Sequence, residues 1–181
     1  PLGNLEATAE LSVGLMFSIM RNIHLANDST HQGKWEKPKF LGTELKGKVL
    51  GIVGYGNIGQ RVAEICSTIG MKIITNSKSA SDDDLSKFDV KKVSTEDLIK
   101  EADIITLHTK LNDETKYMIN KETISTMKPT SVIINCARAG LSTETDLKDA
   151  LNTCPCPHWR PTCSARARPR TGNGCSHWCA P

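Results

Sequence analysis

The 181-residue sequence lacks any apolar run approaching the roughly 18–20 residues that a membrane helix needs. It also lacks a charged segment followed by an apolar one at its start, so no secretory leader is predicted. Residues 1–151 contain all 20 acidic residues and 19 of the 23 basic ones. The formal charge of +3 therefore comes from four later arginines, and the near-neutral body excludes the basic surface typical of nucleic-acid-binding proteins.

Cysteine is scarce in the same part of the chain. Cys66 and Cys136 are the only thiols before residue 152, and both lie in apolar-patterned segments. This usage is typical of a reducing compartment, and we predict a cytoplasmic protein. The opening residues lead straight into a helical pattern, so we expect the sequence to begin inside a larger protein.

Strand-like and helix-like segments alternate along most of the chain. A long helix is predicted from residue 8 to about residue 31, with Gly33 as its stop, followed by a polar connection. Short apolar strands are predicted at 49–53, 71–75, 103–107 and 131–135, and helices at 57–69, 94–102, 120–127 and 142–151. This alternation predicts an α/β fold, a Rossmann-like doubly wound parallel sheet that is incomplete and preceded by a long linking helix. We divide the chain into 1–47 (linking helix and connection at a lobe boundary), 48–151 (dinucleotide-binding domain) and 152–181 (a Cys-, Pro- and Arg-rich tail).

A glycine triplet follows the first predicted strand and opens a helix. Gly54 allows a tight turn, Gly56 allows the backbone to approach a pyrophosphate, and Gly59 allows the helix to pack closely on the sheet. Free N–H groups at the helix start then face the negative charge. The pattern favours a dinucleotide site over a glycine turn with no ligand.

The acidic residue that usually follows the second strand of such a site is missing. Ser77 and Lys78 stand there, and the next acid is Asp82, too far into the loop. A serine and a lysine suit a phosphate better than a ribose, so we predict NAD as the cofactor with NADP tolerated. The alternative is that Lys78 is merely solvated.

Five motifs in this order resemble the D-isomer-specific 2-hydroxyacid dehydrogenases. They are Gly33-Lys34-Trp35-Glu36, Gly42-Thr43-Glu44-Leu45-x-Gly47-Lys48, Leu50-Gly51-Ile52-Val53-Gly54-x-Gly56-x-Ile58-Gly59, Leu107-His108-Thr109 and Asn135-Cys136-Ala137-Arg138-Ala139-Gly140. The resemblance implies an oxidoreductase that transfers a hydride between a nicotinamide cofactor and a small D-2-hydroxy or 2-oxo acid. Similarity to the family members acting on 3-phosphoglycerate implies that substrate and a role in serine synthesis. It also implies a homodimer or tetramer of the full-length protein, with the linking helix at the interface.

The resemblance also implies roles for individual residues. Arg138 matches the catalytic arginine that binds the substrate carboxylate, and a guanidinium offers the bidentate fork that this needs. Cys136, Ala137 and Arg138 match the stretch that lines the nicotinamide, and Thr109 matches a further cofactor contact. Asn57 and Ile58 match the turn that faces the pyrophosphate. The alternatives are a surface charge for Arg138 and packing for Cys136; for His108 we favour packing.

The sequence departs from the family pattern at several positions. Ser77 replaces an aspartate, Lys110 a proline, and Ala139 the first glycine of an Arg-Gly-Gly pattern. No histidine and glutamate follow at the family's acid–base positions, and Pro157-His158 comes too soon after Arg138. We therefore expect this chain to bind NAD(P) without full catalysis and, with one sheet edge uncovered, to be marginally stable. The alternative is a dinucleotide-sensing, corepressor-like interaction protein of the same fold.

The tail permits three interpretations. Its Cys-x-Cys-x-His and Cys-x-His-x-Cys runs could bind zinc in an adaptor, but their spacing is tighter than in structural zinc sites, so no metal site is predicted. A disulfide framework conflicts with the reducing context. Read in a shifted frame, the possible codons permit Leu-Ala-x-Asp-Val-Leu, which resembles the family's next segment. We favour a frameshifted, disordered tail.

Overall fold

The chain forms one five-stranded parallel sheet in the computed structural model, which describes residues 3–153. The strands are β1 (Val49–Val53), β2 (Lys72–Thr75), β3 (Val90–Lys92), β4 (Ile104–Leu107) and β5 (Val132–Asn135), in the spatial order β3-β2-β1-β4-β5. The helices are α1 (Leu5–Met20), α2 (Ile23–His31), α3 (Asn57–Thr68), α4 (Asp82–Ser86), α5 (Thr95–Glu101), α6 (Lys121–Thr126) and α7 (Glu144–Thr153). Short 3₁₀ turns lie at Lys37–Phe40 and Ala139–Leu141. The predicted Rossmann-like α/β class is confirmed.

The strand order places a ligand site at one edge of the sheet. All neighbouring strands pair in parallel, so their carboxyl ends meet at the same edge. The chain moves outward from β1 through β2 to β3, and then crosses to β4 on the other side of β1. The carboxyl ends of β1 and β4 therefore flank the point at which the strand order reverses, where open α/β sheets bind ligands.

Successive side chains along the strands point to opposite faces of the sheet and pack in two separate apolar clusters, one on each face. Leu50 and Ile52 of β1 pack in the cluster that contains α1 and α3. Val53 lies in the other cluster with residues of α5 and α7. Gly51 lets α5 approach β1 closely, since a Cβ placed on it would lie 2.7 Å from Leu98 Cδ2. The unbroken apolar strands thus reflect a sheet that is covered on both faces.

The prediction of one continuous helix from residue 8 to about residue 31 is wrong. The helix is interrupted at Asn22, which adopts a left-handed conformation with φ of +54° between α1 and α2. The Thr43 N–H donates to the Met20 carbonyl, and a Cβ on Gly42 would lie 2.4 Å from that oxygen. The later connection therefore packs against the end of α1 and satisfies one of its free carbonyl groups. The predicted stop at Gly33 is confirmed, with φ of +73°.

Two elements, α4 and β3, were not predicted. Helix α4 has five residues and is capped by the Ser81 side chain, which accepts the Asp84 N–H. Strand β3 has three residues, of which only Val90 is buried. Both are too short to carry a periodic apolar pattern.

The remaining elements lie where the sequence predicts them, to within two residues. Ser94 caps α5, and Asn120 forms a capping box with Thr123 at the start of α6. Gly70, with φ of +85°, follows α3 as expected. No helix within residues 3–153 is long and apolar enough to cross a membrane.

The boundary after residue 47 remains a proposal. Helix α1 contributes Ala9, Val13 and Met16 to the apolar cluster that also contains Val62 of α3. Helix α1 therefore packs on the same face of the sheet as α3. The tail lies outside the described residues, and with it the favoured interpretation, a frameshifted and disordered segment, and the two disfavoured ones, a zinc site and a disulfide framework.

Candidate functional site

The three glycines of the turn after β1 differ in how much room surrounds them. Gly54 has φ of +91°, and a Cβ on it would lie 2.7 Å from the His108 carbonyl oxygen. A Cβ on Gly59 would lie 2.3 Å from the Gly54 oxygen. Gly56 is exposed, and a Cβ on it would meet nothing within 4 Å. The backbone around Gly54 and Gly59 therefore leaves no room for a side chain, whereas Gly56 lies beside open space.

That open space lies at the start of α3. Gly56 is the N-cap residue and offers no capping side chain, and the first intrahelical bond runs from Gln60 N–H to the Gly56 oxygen. The N–H groups of Asn57, Ile58 and Gly59 precede that bond and have no acceptor within the helix. Aligned donors beside open space fit a diphosphate group, and the residues present therefore fit a dinucleotide.

The turn after β2 is fixed by Thr75. Its Oγ1 donates to the Ile52 oxygen at 2.8 Å and accepts the Ser77 N–H at 3.3 Å. Ser77 Oγ lies 3.3 Å from Ser79 Oγ, and the side chain of Lys78 is exposed. The turn thus presents hydroxyl groups and an ammonium group, with no carboxylate between residues 75 and 81.

The loop after β4 lies directly against the glycine turn. The Thr109 nitrogen would be 3.0 Å from a Cβ on Gly54, so these two predicted site residues are in contact. His108 is largely buried, and its Nε2 lies 2.9 Å from Thr106 Oγ1. Burial lowers the pKa of His108 to about 4. The imidazole is therefore neutral at pH 7 and bonded within the fold.

The turn after β5 is organised by Asn135. Its Oδ1 accepts the Ala137 N–H at 3.1 Å, and its Nδ2 donates to the Arg138 oxygen at 3.0 Å. This turn holds Arg138 at the edge with an exposed side chain, whose Nη1 donates to the Ala137 oxygen. A sequence signal for this turn was present, because asparagine commonly bonds to the backbone two residues on.

Residues 117–119 form backbone hydrogen bonds with the residues that follow Arg138. The Tyr117 N–H donates to the Gly140 oxygen at 2.9 Å, and the Ile119 N–H donates to the Leu141 oxygen at 3.0 Å. A Cβ on Gly140 would lie 2.9 Å from Leu111 Cδ2. A larger residue at position 140 would therefore displace the exposed Leu111 side chain.

Cys136 is half-buried against the α1 cluster. Burial raises the pKa of its thiol, and a hydrogen bond with Ser12 of α1 acts in the opposite direction. The net rise keeps the thiol neutral at pH 7, so Cys136 supplies no charge at this edge.

All the predicted site residues lie at the carboxyl edge of the sheet, following β1, β2, β4 and β5. Their individual roles in binding remain predictions. Sequence reasoning missed the buried Tyr55, whose hydroxyl donates to the Asp84 oxygen at 3.4 Å and so joins α4 to the glycine turn. It also missed Lys92 at the end of β3, because three residues give no readable strand signal.

Residues 13–156 match the family model described as "D-isomer specific 2-hydroxyacid dehydrogenase, NAD binding domain". The chain belongs to this family. The predicted resemblance and the predicted NAD cofactor are thereby confirmed at the level of the domain.

Relatives within the family are named for different activities. A D-3-phosphoglycerate dehydrogenase of Synechocystis is 40% identical over 153 residues, which cover 84% of this chain and 28% of that protein. A hydroxypyruvate reductase of Thermotoga maritima is 43% identical over 140 residues, which cover 77% of this chain and 45% of that protein. The chain thus spans less than half the length of either relative.

One solved structure of the family shows the cofactor itself. The NAD-complexed D-isomer-specific 2-hydroxyacid dehydrogenase of Lactobacillus delbrueckii is 31% identical, with a TM-score of 0.73 over 84% of this chain and 46% of that one. The fold described here therefore occurs in a family member that binds NAD.

Proposed function

We propose that this chain is the nicotinamide-dinucleotide-binding part of a D-2-hydroxyacid dehydrogenase. The observation that carries the proposal is the glycine turn. Gly56 leaves open space at an uncapped helix N-terminus, while Gly54 and Gly59 are sterically required around it. The bound dinucleotide would supply the hydride acceptor or donor; Asn57 and Ile58 would bind its pyrophosphate through their N–H groups.

Arg138 would bind the carboxylate of the hydroxy or oxo acid. Its side chain is exposed and forms no salt bridge among the residues that the structure describes. The Asn135 hydrogen bonds fix its backbone at the end of β5. An exposed guanidinium at a sheet's ligand edge, without an acidic partner among the described residues, is suited to bidentate carboxylate binding.

The described residues do not supply the proton transfer that completes the reaction. His108 is neutral, and burial lowers its pKa to about 4. Its Nε2 is bonded to Thr106 Oγ1. The other two described histidines, His24 and His31, lie on α2 and bond to backbone carbonyls of Ser18 and Asn27. We therefore assign cofactor and carboxylate binding to residues 3–153, and not the complete reaction.

For the substrate we propose 3-phosphoglycerate. Support comes from relatives named D-3-phosphoglycerate dehydrogenase, at 40% identity in Synechocystis. Sequence similarity of 43% to a hydroxypyruvate reductase supports the wider class of small 2-oxo acids. Both acids carry a carboxylate next to the reacting carbon, which is the group that Arg138 would bind.

Ligand binding by the 181-residue chain tests both assignments. NADH is titrated and its nicotinamide fluorescence followed, and oxamate, an unreactive 2-oxo acid analogue, is then titrated into the NADH complex. We expect saturable NADH binding, and a loss of oxamate affinity of about tenfold or more in Arg138→Gln. The matched control Arg21→Gln removes an exposed arginine elsewhere and should leave both affinities unchanged. Absence of saturable NADH binding would refute the dinucleotide assignment, and equal oxamate binding by Arg138→Gln would refute the role of Arg138.

We also propose a homodimer or tetramer in the cytoplasm for the full-length protein. Large apolar side chains stay exposed outside the dinucleotide edge, including Trp35 (84% exposed), Leu41 (68%) and Ile23 (52%). The two cysteines of residues 3–153 are free thiols, which suits a reducing compartment. Light scattering during size-exclusion chromatography measures the assembly state, and a monomer in the full-length protein would contradict it.

A further inference from the structure

The carboxyl end of β3 lies beside the turn that follows β2. Lys92 is the register partner of Thr75, so it stands level with the last residue of β2. Val90 packs in the cluster that contains α3, and alternation along the strand places Lys92 on that same face of the sheet. Lys92 therefore lies on the side of the sheet from which α3 presents its free N–H groups.

The Lys92 side chain reaches across the turn. Its Nζ donates to the Lys78 oxygen at 3.2 Å. An ammonium group has three donors, so this bond leaves two for another acceptor. The Lys92 charge is thus held at the backbone oxygen of Lys78, the residue that follows Ser77 in the turn.

The shape of this turn is fixed independently of the two lysines. Asn76 Nδ2 donates to Thr95 Oγ1 at 2.9 Å, which ties the turn to the start of α5. The Val93 N–H donates to the Thr75 oxygen at 2.9 Å, which continues the pairing of β3 with β2. A preformed turn loses little conformational freedom when it binds an anion.

The acidic residues nearest in sequence to the turn and to Lys92 lie in the first turns of α4 and α5. Glu96 and Asp97 of α5 are exposed, and Asp97 accepts a hydrogen bond from the Ser94 hydroxyl. Asp84 is bonded to Lys87 at 2.8 Å and to the Ser81 hydroxyl, so its charge already has partners. Asp82 and Asp83 are exposed, and solvent screens their repulsion of an anion. The balance of charge at the turn favours an anionic ligand over a bare ribose.

We propose that Ser77, Lys78 and Lys92 form a subsite for the adenosine 2′-phosphate of NADP(H), with Lys92 as a residue that determines cofactor preference. The inference rests on the proposed dinucleotide site. In this subsite Ser77 would donate from its hydroxyl group, and the exposed Lys78 and Lys92 ammonium groups would contribute positive charge. An aspartate at position 77 would instead repel the phosphate and accept ribose hydroxyls.

The test compares ligands that differ only by the 2′-phosphate. NADPH and NADH are titrated into the 181-residue chain by fluorescence, and adenosine 2′,5′-bisphosphate and 5′-AMP by calorimetry. Lys92→Gln is compared with Lys91→Gln, which removes an exposed lysine from the opposite face of the same strand. Ser77→Asp is the reciprocal variant.

We expect wild-type protein to bind NADPH at least as tightly as NADH. Lys92→Gln should weaken NADPH and the bisphosphate about fivefold to tenfold, with NADH and 5′-AMP unchanged. Lys91→Gln should change none of them, and Ser77→Asp should reverse the preference.

Tenfold tighter binding of NADH than NADPH by wild-type protein, or equal effects of the two lysine variants, would overturn this inference and leave the proposed function intact. Failure to bind either dinucleotide would instead contradict the proposed function, and the subsite with it.

Discussion

Replacing Gly59 with alanine should separate α3 from β1 and open the glycine turn. A Cβ at this position would lie 2.3 Å from the Gly54 carbonyl oxygen and 3.2 Å from Ile52 Cγ2. A carbon and an oxygen in ordinary contact lie about 3.3 Å apart, so the helix start must move by about 1 Å. The obstructing atom belongs to the backbone of the turn, and no side-chain rotation relieves the overlap.

The expected loss of stability follows from two opposing effects. Overpacking of a well-packed site lowers the free energy of unfolding by about 1–3 kcal/mol, whereas the higher helix propensity of alanine raises it by up to about 1 kcal/mol. We therefore expect the free energy of unfolding of Gly59→Ala to fall by about 1–2 kcal/mol. For a chain of this size this corresponds to a drop in Tm of roughly 2–8 °C. Dinucleotide affinity should fall as well, because the displaced N–H groups no longer converge.

Two other glycine variants separate folding from binding. Gly56→Ala adds a Cβ that meets nothing within 4 Å. Alanine is a poorer N-cap than glycine but makes the unfolded chain less flexible, so stability should change by only a few tenths of a kcal/mol while dinucleotide affinity falls at least tenfold. Gly14→Ala lies in the exposed interior of α1, also with nothing within 4 Å, and should raise stability by about 0.5–1 kcal/mol with binding intact.

Chemical denaturation followed by circular dichroism gives the three unfolding free energies, and NADH fluorescence titration gives the three affinities. A Gly59→Ala protein as stable as wild type would refute the packing argument. Unchanged NADH affinity in Gly56→Ala would refute the open position for the pyrophosphate.

Three further predictions concern charge and backbone conformation. Burial acts to raise the pKa of Asp103, but hydrogen bonds from Lys128 and the Val49 N–H outweigh it and hold the pKa below its ordinary value of 3.8. Asp103→Asn should therefore cost about 1–2 kcal/mol of stability at pH 7, and the difference should vanish as the pH falls below 3.8. Burial lowers the pKa of His108 from 6.5 to about 4. As the pH falls, the unfolded chain therefore takes up a proton before the folded chain does, and about 3 kcal/mol of stability should be lost between pH 7 and 4. His108→Gln should remove most of that loss. Asn22→Ala should cost about 1 kcal/mol because Asn22 has φ of +54°, and Asn22→Gly should cost less.

Denaturation at several pH values checks the two titrating groups, and denaturation at pH 7 checks Asn22. A wild-type minus Asp103→Asn difference that does not shrink as the pH falls below 3.8 would contradict the first prediction. A stability of His108→Gln that falls between pH 7 and 4 as much as that of the wild type would contradict the second prediction. Equal stability of Asn22→Ala and Asn22→Gly would contradict the third.

The sheet and the glycine turn were predictable because each rests on local sequence patterns. Apolar strands of four or five residues, such as Val49–Val53, alternate with helices, some of which have a recognisable cap, as α5 has in Ser94. The Gly54-x-Gly56-x-x-Gly59 spacing specifies the turn, since Gly54 and Gly59 lie against backbone atoms that leave no room for a Cβ, and Gly56 lies beside open space.

The break in the first helix and the elements α4 and β3 were not predictable from local patterns. Asn22 carries no glycine or proline signal, and its left-handed conformation accompanies a contact from Thr43, which is distant in sequence. β3 exists by pairing with β2, and this pairing is what brings Lys92 to the turn after Thr75. Long-range contacts of this kind leave no periodicity to read.

The central claim is that a nicotinamide dinucleotide binds at the carboxyl edge of this sheet. Amide hydrogen exchange of the 181-residue chain, measured by mass spectrometry with and without saturating NADH, tests it most directly. We predict slower exchange in peptides spanning residues 54–60, 108–110 and 136–138, with no change in α2. Unchanged exchange at the glycine turn, or protection confined to a region distant from it, would contradict the claim.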